Sequence, residues 1–166
     1  MKLFFILGNQ LFPTKYIDRY KKDHTFFMAE DKGLCTYEKH HKQKILLFLS
    51  SMRSYADNLK KNKFKLEYSK IEDKEFSEDY LKKLKKIITQ KKIKEVSSFE
   101  IEDKPFEQKI SMFFKKEKID WNIVQTPMFL NSREEFKKHL GNSKKPFMAT
   151  FYNCLLYTSP SPRDRG

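Results

Sequence analysis

Five short strand-like segments, alternating with stretches of helical spacing, constrain this chain more than any other feature. Lys2–Leu7 is a continuous apolar run closed by Gly8, which fits a strand buried on both faces. Asn9–Pro13 reads as a loop, with Thr14 placed to cap a short helix over Lys15–Tyr20. Thr25–Ala29 is a second buried strand, ending at Glu30-Asp31, and Lys65–Ile71 is a third. Between them the spacing predicts a long helix over Tyr37–Asn62, with Ile45, Phe48, Leu49, Met52, Tyr55, Ala56 and Leu59 on one face. Ser77 leads a helix carrying Leu81, Leu84, Ile87 and Ile88. Glu95–Phe99 is the fourth strand. Asp103 and Pro105 signal the next helix, which buries Phe106, Ile110, Phe113 and Phe114. Trp121–Val124 is the fifth strand, and Ser132 with Glu135 forms a capping box before Phe136 and Leu140.

Strands alternating with helices five times imply an α/β fold: a Rossmann-like, five-stranded parallel sheet with helices on both faces. Right-handed crossovers leave few topologies, and the strand order expected is 3-2-1-4-5. Ligands of such sheets bind where the strand order reverses, outside the carboxyl ends of the first and fourth strands. That rule gathers Gly8-Asn9-Gln10, Glu30-Asp31 and Phe99-Glu100 around one cleft.

The 166 residues suffice for one domain with a packed core, and the 16 phenylalanines supply it. No apolar run approaches the ~20 residues that span a bilayer. The opening Met1–Leu7 has the order of a short signal peptide, but Gly8-Asn9-Gln10 follows without a small-residue cleavage site. Two cysteines, Cys35 and Cys154, make no disulfide framework, so the chain reads as a soluble, cytoplasmic monomer without a membrane partner.

The net charge of +13 suits a nucleic-acid partner, although nearly all of it is lysine spread over helix faces, which also describes an ordinary solvated surface. From Cys154 to Asp164 the composition changes abruptly: lysine disappears, Pro160 and Pro162 forbid a helix, and the string reads like a translated sequencing adaptor. Residues 154–166 are therefore expected to be an adaptor-derived, disordered tail. Arg163 and Arg165 against Asp164 account for one positive charge, which leaves +12.

Several chemistries are absent from the motifs. No GxGxxG or Walker lysine loop follows a strand, no CxxC or helical His pair offers a metal site, and no nucleophile sits in a strand–helix elbow. Catalytic and metal-binding residues are accordingly not expected. What remains is Tyr37, His41 and Lys44, spaced by four and three at the start of the long helix. An aromatic ring, an imidazole and an ammonium there suit a flat polar heterocycle, with the helix dipole favouring a negative group. The same residues also suit a capped, solvated helix start.

Further pieces carry a resemblance: Ile6–Leu11, Met28-Ala29-Glu30, Tyr37 with His40–Ile45, Ser51-Met52-Arg53, Pro127–Leu130, Arg133–Phe136 and Phe147–Tyr152. In order from Lys2 to Asn153, the chain resembles the bacterial photolyase-related proteins, the iron–sulfur branch of the cryptochrome/photolyase family. The resemblance implies that residues 1–146 are an amino-terminal α/β domain holding a ribityllumazine-type antenna chromophore. It implies that residues 147–153 open a connection to a helical domain binding FAD and a four-iron cluster. Such a full-length flavoprotein repairs (6-4) photoproducts in DNA under light, or signals as a photoreceptor. The expectation is an amino-terminal fragment with an antenna or accessory role and no catalysis of its own. Gly8, Glu30, Tyr37, His41 and Lys44 are the matching antenna contacts, and Asn9 and Glu100 join them by their place in the cleft. The family commonly has Asp at Asn9 and Glu at Leu34, so two carboxylate acceptors are missing. Two other readings stay open. One is a stand-alone nucleotide-binding or sensing α/β domain, for which the Gly8–Leu11 loop is poor in glycine. The other is a basic binding module for RNA or DNA, which needs aromatics exposed among basic residues.

Overall fold

A computed structural model describes residues 1–36, 38–73, 77–141 and 147–158, with the backbone alone at 34, 154 and 156–158. The strands are β1 (Lys2–Phe5), β2 (His24–Ala29), β3 (Leu66–Ser69), β4 (Glu95–Phe99) and β5 (Asp120–Val124). They form one parallel sheet in the order β3-β2-β1-β4-β5. This is the fold class and strand order that the alternation predicts. Among the described residues, no helix is long and apolar enough to cross a membrane.

Alternation along β1 and β2 divides the core in two. Leu3, Phe5, Phe27 and Ala29 point to the face covered by α3 (Tyr80–Gln90) and α4 (Lys104–Glu117), where they meet Leu84, Ile88, Ile110 and Phe114. Phe4, Ile6, Phe26 and Met28 point to the face covered by α2 (Lys42–Lys61), meeting Met52, Ala56 and Leu59. Both faces of the central strands are thus buried, which is why they read as unbroken apolar runs.

α2, α3 and α4 end alike. Lys63, Lys92 and Lys118 take left-handed φ values of 58°, 51° and 54°. The next residue then donates its N–H five positions back: Phe64 to Leu59, Ile93 to Ile88 and Ile119 to Phe114. Each is the apolar anchor of a Schellman-type stop, with lysine where glycine is usual.

Two expected boundaries are corrected. Lys15–Tyr20 forms not one helix but two 3-10 turns, Thr14–Tyr16 and Asp18–Tyr20, and the residue preceding the first is Pro13 rather than a Thr14 cap. The long helix does not start at Tyr37. A short helix, α1 (Lys32–Thr36), comes first, and α2 begins at Lys42. His41 caps it in an extended conformation (φ −64°, ψ 139°), its Nδ1 accepting the Gln43 N–H at 3.3 Å and its carbonyl accepting those of Lys44 and Ile45. Histidine is not a usual cap, so the pattern conceals this start.

Residues Met1–Thr126 form one compact unit and Pro127–Gly166 another. In the second, α5 (Arg133–Leu140) starts at the predicted Ser132/Glu135 capping box. α6 (Met148–Thr158) continues past Asn153 into the segment that begins at Cys154, and residues 159–166 lie outside the described residues. Within this unit Phe136 and Phe151 pack edge to face at 5.0 Å.

Candidate functional site

A cavity of about 260 Å³ opens at the carboxyl ends of β1, β2 and β4. Leu7, Gly8 and Asn9 form one side of it, Asp31 and Cys35 another, and Ile101, Glu102, Asp103 and Phe106 a third. The first turns of α2 close it with Lys44, Ile45, Phe48, Leu49 and Met52, and His40 stands beside them. Gly8 is there because nothing larger fits easily: a Cβ would lie 2.8 Å from the Met52 sulfur.

The polar rim carries both signs of charge. Lys44 Nζ lies 3.5 Å from His40 Nδ1 on one side. On the other, Glu102 accepts from Asn9 Nδ2 at 3.1 Å and from Gln10 Nε2 at 3.3 Å. Asn9 is therefore a donor to an acid, and an aspartate in its place would set two carboxylates against each other. The carboxylate missing at position 9 has a counterpart at Glu102. Asp31 is buried and ion-paired with the equally buried Lys83 at 3.1 Å, whose ammonium also donates to the Glu30 carbonyl at 3.0 Å. Asp103 caps α4 by accepting the Phe106 N–H at 3.0 Å. Burial, and then the charges of Asp31 and Glu30, push the Cys35 thiol up against an opposing effect of Lys83, so it is no activated nucleophile.

Of the seven residues expected here, Gly8, Asn9 and Lys44 line the cavity. Tyr37 lies outside the described residues, as does the side chain of Leu34. His41 is turned to capping and lies before the first residue of α2, so His41 and Lys44 do not share the continuous helical face that their spacing suggests. Glu100 accepts the Thr126 N–H at 3.2 Å, while its carbonyl accepts from Gln10 at 2.7 Å.

Glu30 is turned away. Its fully buried carboxylate accepts from Arg53 at 2.7 and 2.9 Å, from the Tyr68 hydroxyl at 2.6 Å and from the Ile71 N–H at 2.7 Å. Burial pushes this carboxyl up, but the three hydrogen-bonding partners and the guanidinium charge outweigh that and hold it below the ordinary value. It is a clamp joining β2, α2 and the β3 exit.

Sequence reasoning missed His40, Cys35, Glu102 and Phe106 as cavity residues. The Asp103 cap with Pro105 places Glu102 and Phe106 at a strand–helix junction and was the available signal for those two. Nothing in the spacing separates His40 from His41.

The sequence profile of the family described as Deoxyribodipyrimidine photo-lyase-related protein matches residues 4–155. A protein of Agrobacterium fabrum described as "(6-4) photolyase" is 27% identical over 155 residues. The match covers 91% of this chain but 30% of that relative, so the chain spans about a third of its length.

Proposed function

Since the chain belongs to the photolyase-related protein family, we propose that its α/β unit is the antenna domain of a light-driven DNA-repair flavoprotein. The cavity at the β1/β4 switch point carries this reading. Its donors, His40 and Lys44, stand opposite the acceptors Glu102 and Asp31, with Phe48 and Phe106 as apolar walls. That set fits a ribityllumazine: the flat heterocycle needs apolar faces and hydrogen-bond donors, and the ribityl hydroxyls need carboxylate acceptors. Lys44 and His40 would hold the ring carbonyls, and Glu102 the ribityl chain. When bound, the chromophore would supply light absorption and pass the excitation on.

The rest of the activity belongs to a larger protein. Two cysteines cannot supply the four thiolates of a four-iron cluster, so this chain's residues do not fit that group. FAD, the cluster, the pairing with lesion-bearing DNA and any signalling role are assigned to a further helical domain. Residues 1–146 are read as the antenna unit and 147–153 as the start of the connection. The +12 charge would support DNA association of the whole molecule.

Reconstitution with a ribityllumazine tests the reading: folded protein should retain the chromophore and shift its fluorescence. Folded protein that retains none refutes the antenna role. Retention of an adenine nucleotide instead, in the same cavity, would establish the stand-alone nucleotide-binding alternative.

A further inference from the structure

On the α2-side face of the sheet a second concavity, of about 440 Å³, lies between the two 3-10 turns and the edge strand β5. It does not depend on the antenna reading. We propose that this groove binds single-stranded nucleic acid, one nucleotide unit at a time, through stacking on Tyr16 and phosphate contacts to Lys15 and Arg19.

Four observations converge on it. The cationic side chains lining the groove, Lys15 and Arg19, are exposed, and no acidic residue lines it among the described residues. The nearest acid in sequence, Asp18, does not line it. Each cation lies over a ring: Lys15 Nζ is 5.1 Å from the Tyr16 centroid, and the Arg19 guanidinium 4.7 Å from that of Tyr20.

The rings differ in their freedom. Tyr20 is fixed by Phe4 and His24, both 5.0 Å away, and by the Arg19 hydrogen bond to its hydroxyl at 2.6 Å. Tyr16 is 40% exposed, and the Lys15 ammonium covers one face of its ring. On the opposite wall, β5 and its exit present the amides of Asn122 and Gln125, both exposed, each able to donate and accept at a base edge.

Cations for the backbone, a free aromatic face for the base and sequence-tolerant amides are the parts that single-strand binders combine. Duplex DNA would not fit this mode, because its bases are stacked on each other and their faces are inaccessible. Tyr16 is thus an aromatic exposed beside Lys15 and near Arg19, which a basic nucleic-acid module requires.

Fluorescence anisotropy of the whole chain with short labelled oligo-dT and oligo-U, across a salt series, tests the groove. Replacing Lys15→Glu and Arg19→Glu together should weaken binding at least tenfold and flatten the salt slope by about 1.4, at ~0.7 for each phosphate no longer neutralised. Tyr16→Ala leaves the charge untouched and should weaken binding about fivefold or more with the slope preserved. Lys82→Glu with Lys109→Glu makes the same change in net charge on exposed positions of α3 and α4, the other layer, and should have the smaller effect. Binding of either oligonucleotide with this pattern supports the proposal and identifies the sugar preferred. An equal loss in the α3/α4 variant, or wild-type binding by folded Tyr16→Ala, overturns it.

Discussion

Replacing Glu30 by glutamine separates a structural clamp from a ligand contact. The carboxylate accepts four hydrogen bonds, two of them from Arg53. A glutamine has one oxygen and turns an NH2 group toward the remaining donors, so at least one charge-assisted bond and the ion pair are lost. Charge-assisted bonds contribute about 1.5–3 kcal/mol each, and orphaning a fully buried pair costs about 3–5 kcal/mol. Arg53 is 39% exposed and can turn to water, which brings the cost to the lower end, about 3 kcal/mol. For a chain of this size that lowers Tm by roughly 10 °C.

Thermal melts followed by the fluorescence of Trp121, the chain's single tryptophan, report on the sheet directly. The deficit must also depend on pH. Glu30 is held below the ordinary value of 4.5 in the fold, so its stabilisation is complete above the unfolded pKa and is lost as pH falls through the folded one. Wild type and Glu30→Gln should therefore converge in acid, as pH falls below 4.5 and through the folded value. Ribityllumazine affinity of the folded variant should be unchanged. A Tm drop under about 2 °C at neutral pH, or a deficit that persists in acid, would refute the clamp.

Three further outcomes follow from the geometry. His40→Ala and Lys44→Ala should each weaken ribityllumazine binding in a fluorescence titration, whereas His41→Ala should leave it intact and cost about 1 kcal/mol of stability as a lost cap. Glycine at Lys63, Lys92 and Lys118 removes a left-handed strain of about 1–2 kcal/mol each, less glycine's entropy cost. The triple variant should melt about 5 °C higher. Burial, and then the Lys2 charge, lower the pKa of His24 in the fold against weaker opposing effects of Glu95, Tyr20 and Asp23. Its neutral form is favoured, and stability should fall as pH drops below about 6.5. His24→Phe should flatten that slope in denaturant titrations at pH 5 to 7.

The β1 and β2 runs were legible because strands buried on both faces have no polar partner face to show, and glycine or acidic residues mark their exits. β5 was legible by its bounds, although its residues are mostly exposed. The α2 start was not: Tyr37, His41 and Lys44 satisfy helical spacing, yet a histidine cap and a separate α1 interrupt it. Spacing records what a helix would bring together, not whether the helix is there.

The same division holds for the cleft. Its location followed from strand order alone, because parallel strands with right-handed crossovers leave one switch point open. Which side chains enter it depended on competition for partners. Glu30 satisfies four donors from α2, β3 and the β3 exit, Glu100 takes Thr126, and Asn9 holds Glu102 in the cavity. Architecture and family were thus readable from the order of apolar runs and local motifs in the sequence itself. The composition of the site was decided only by tertiary structure, since each buried carboxylate must find its donors in three dimensions before any is left for a ligand.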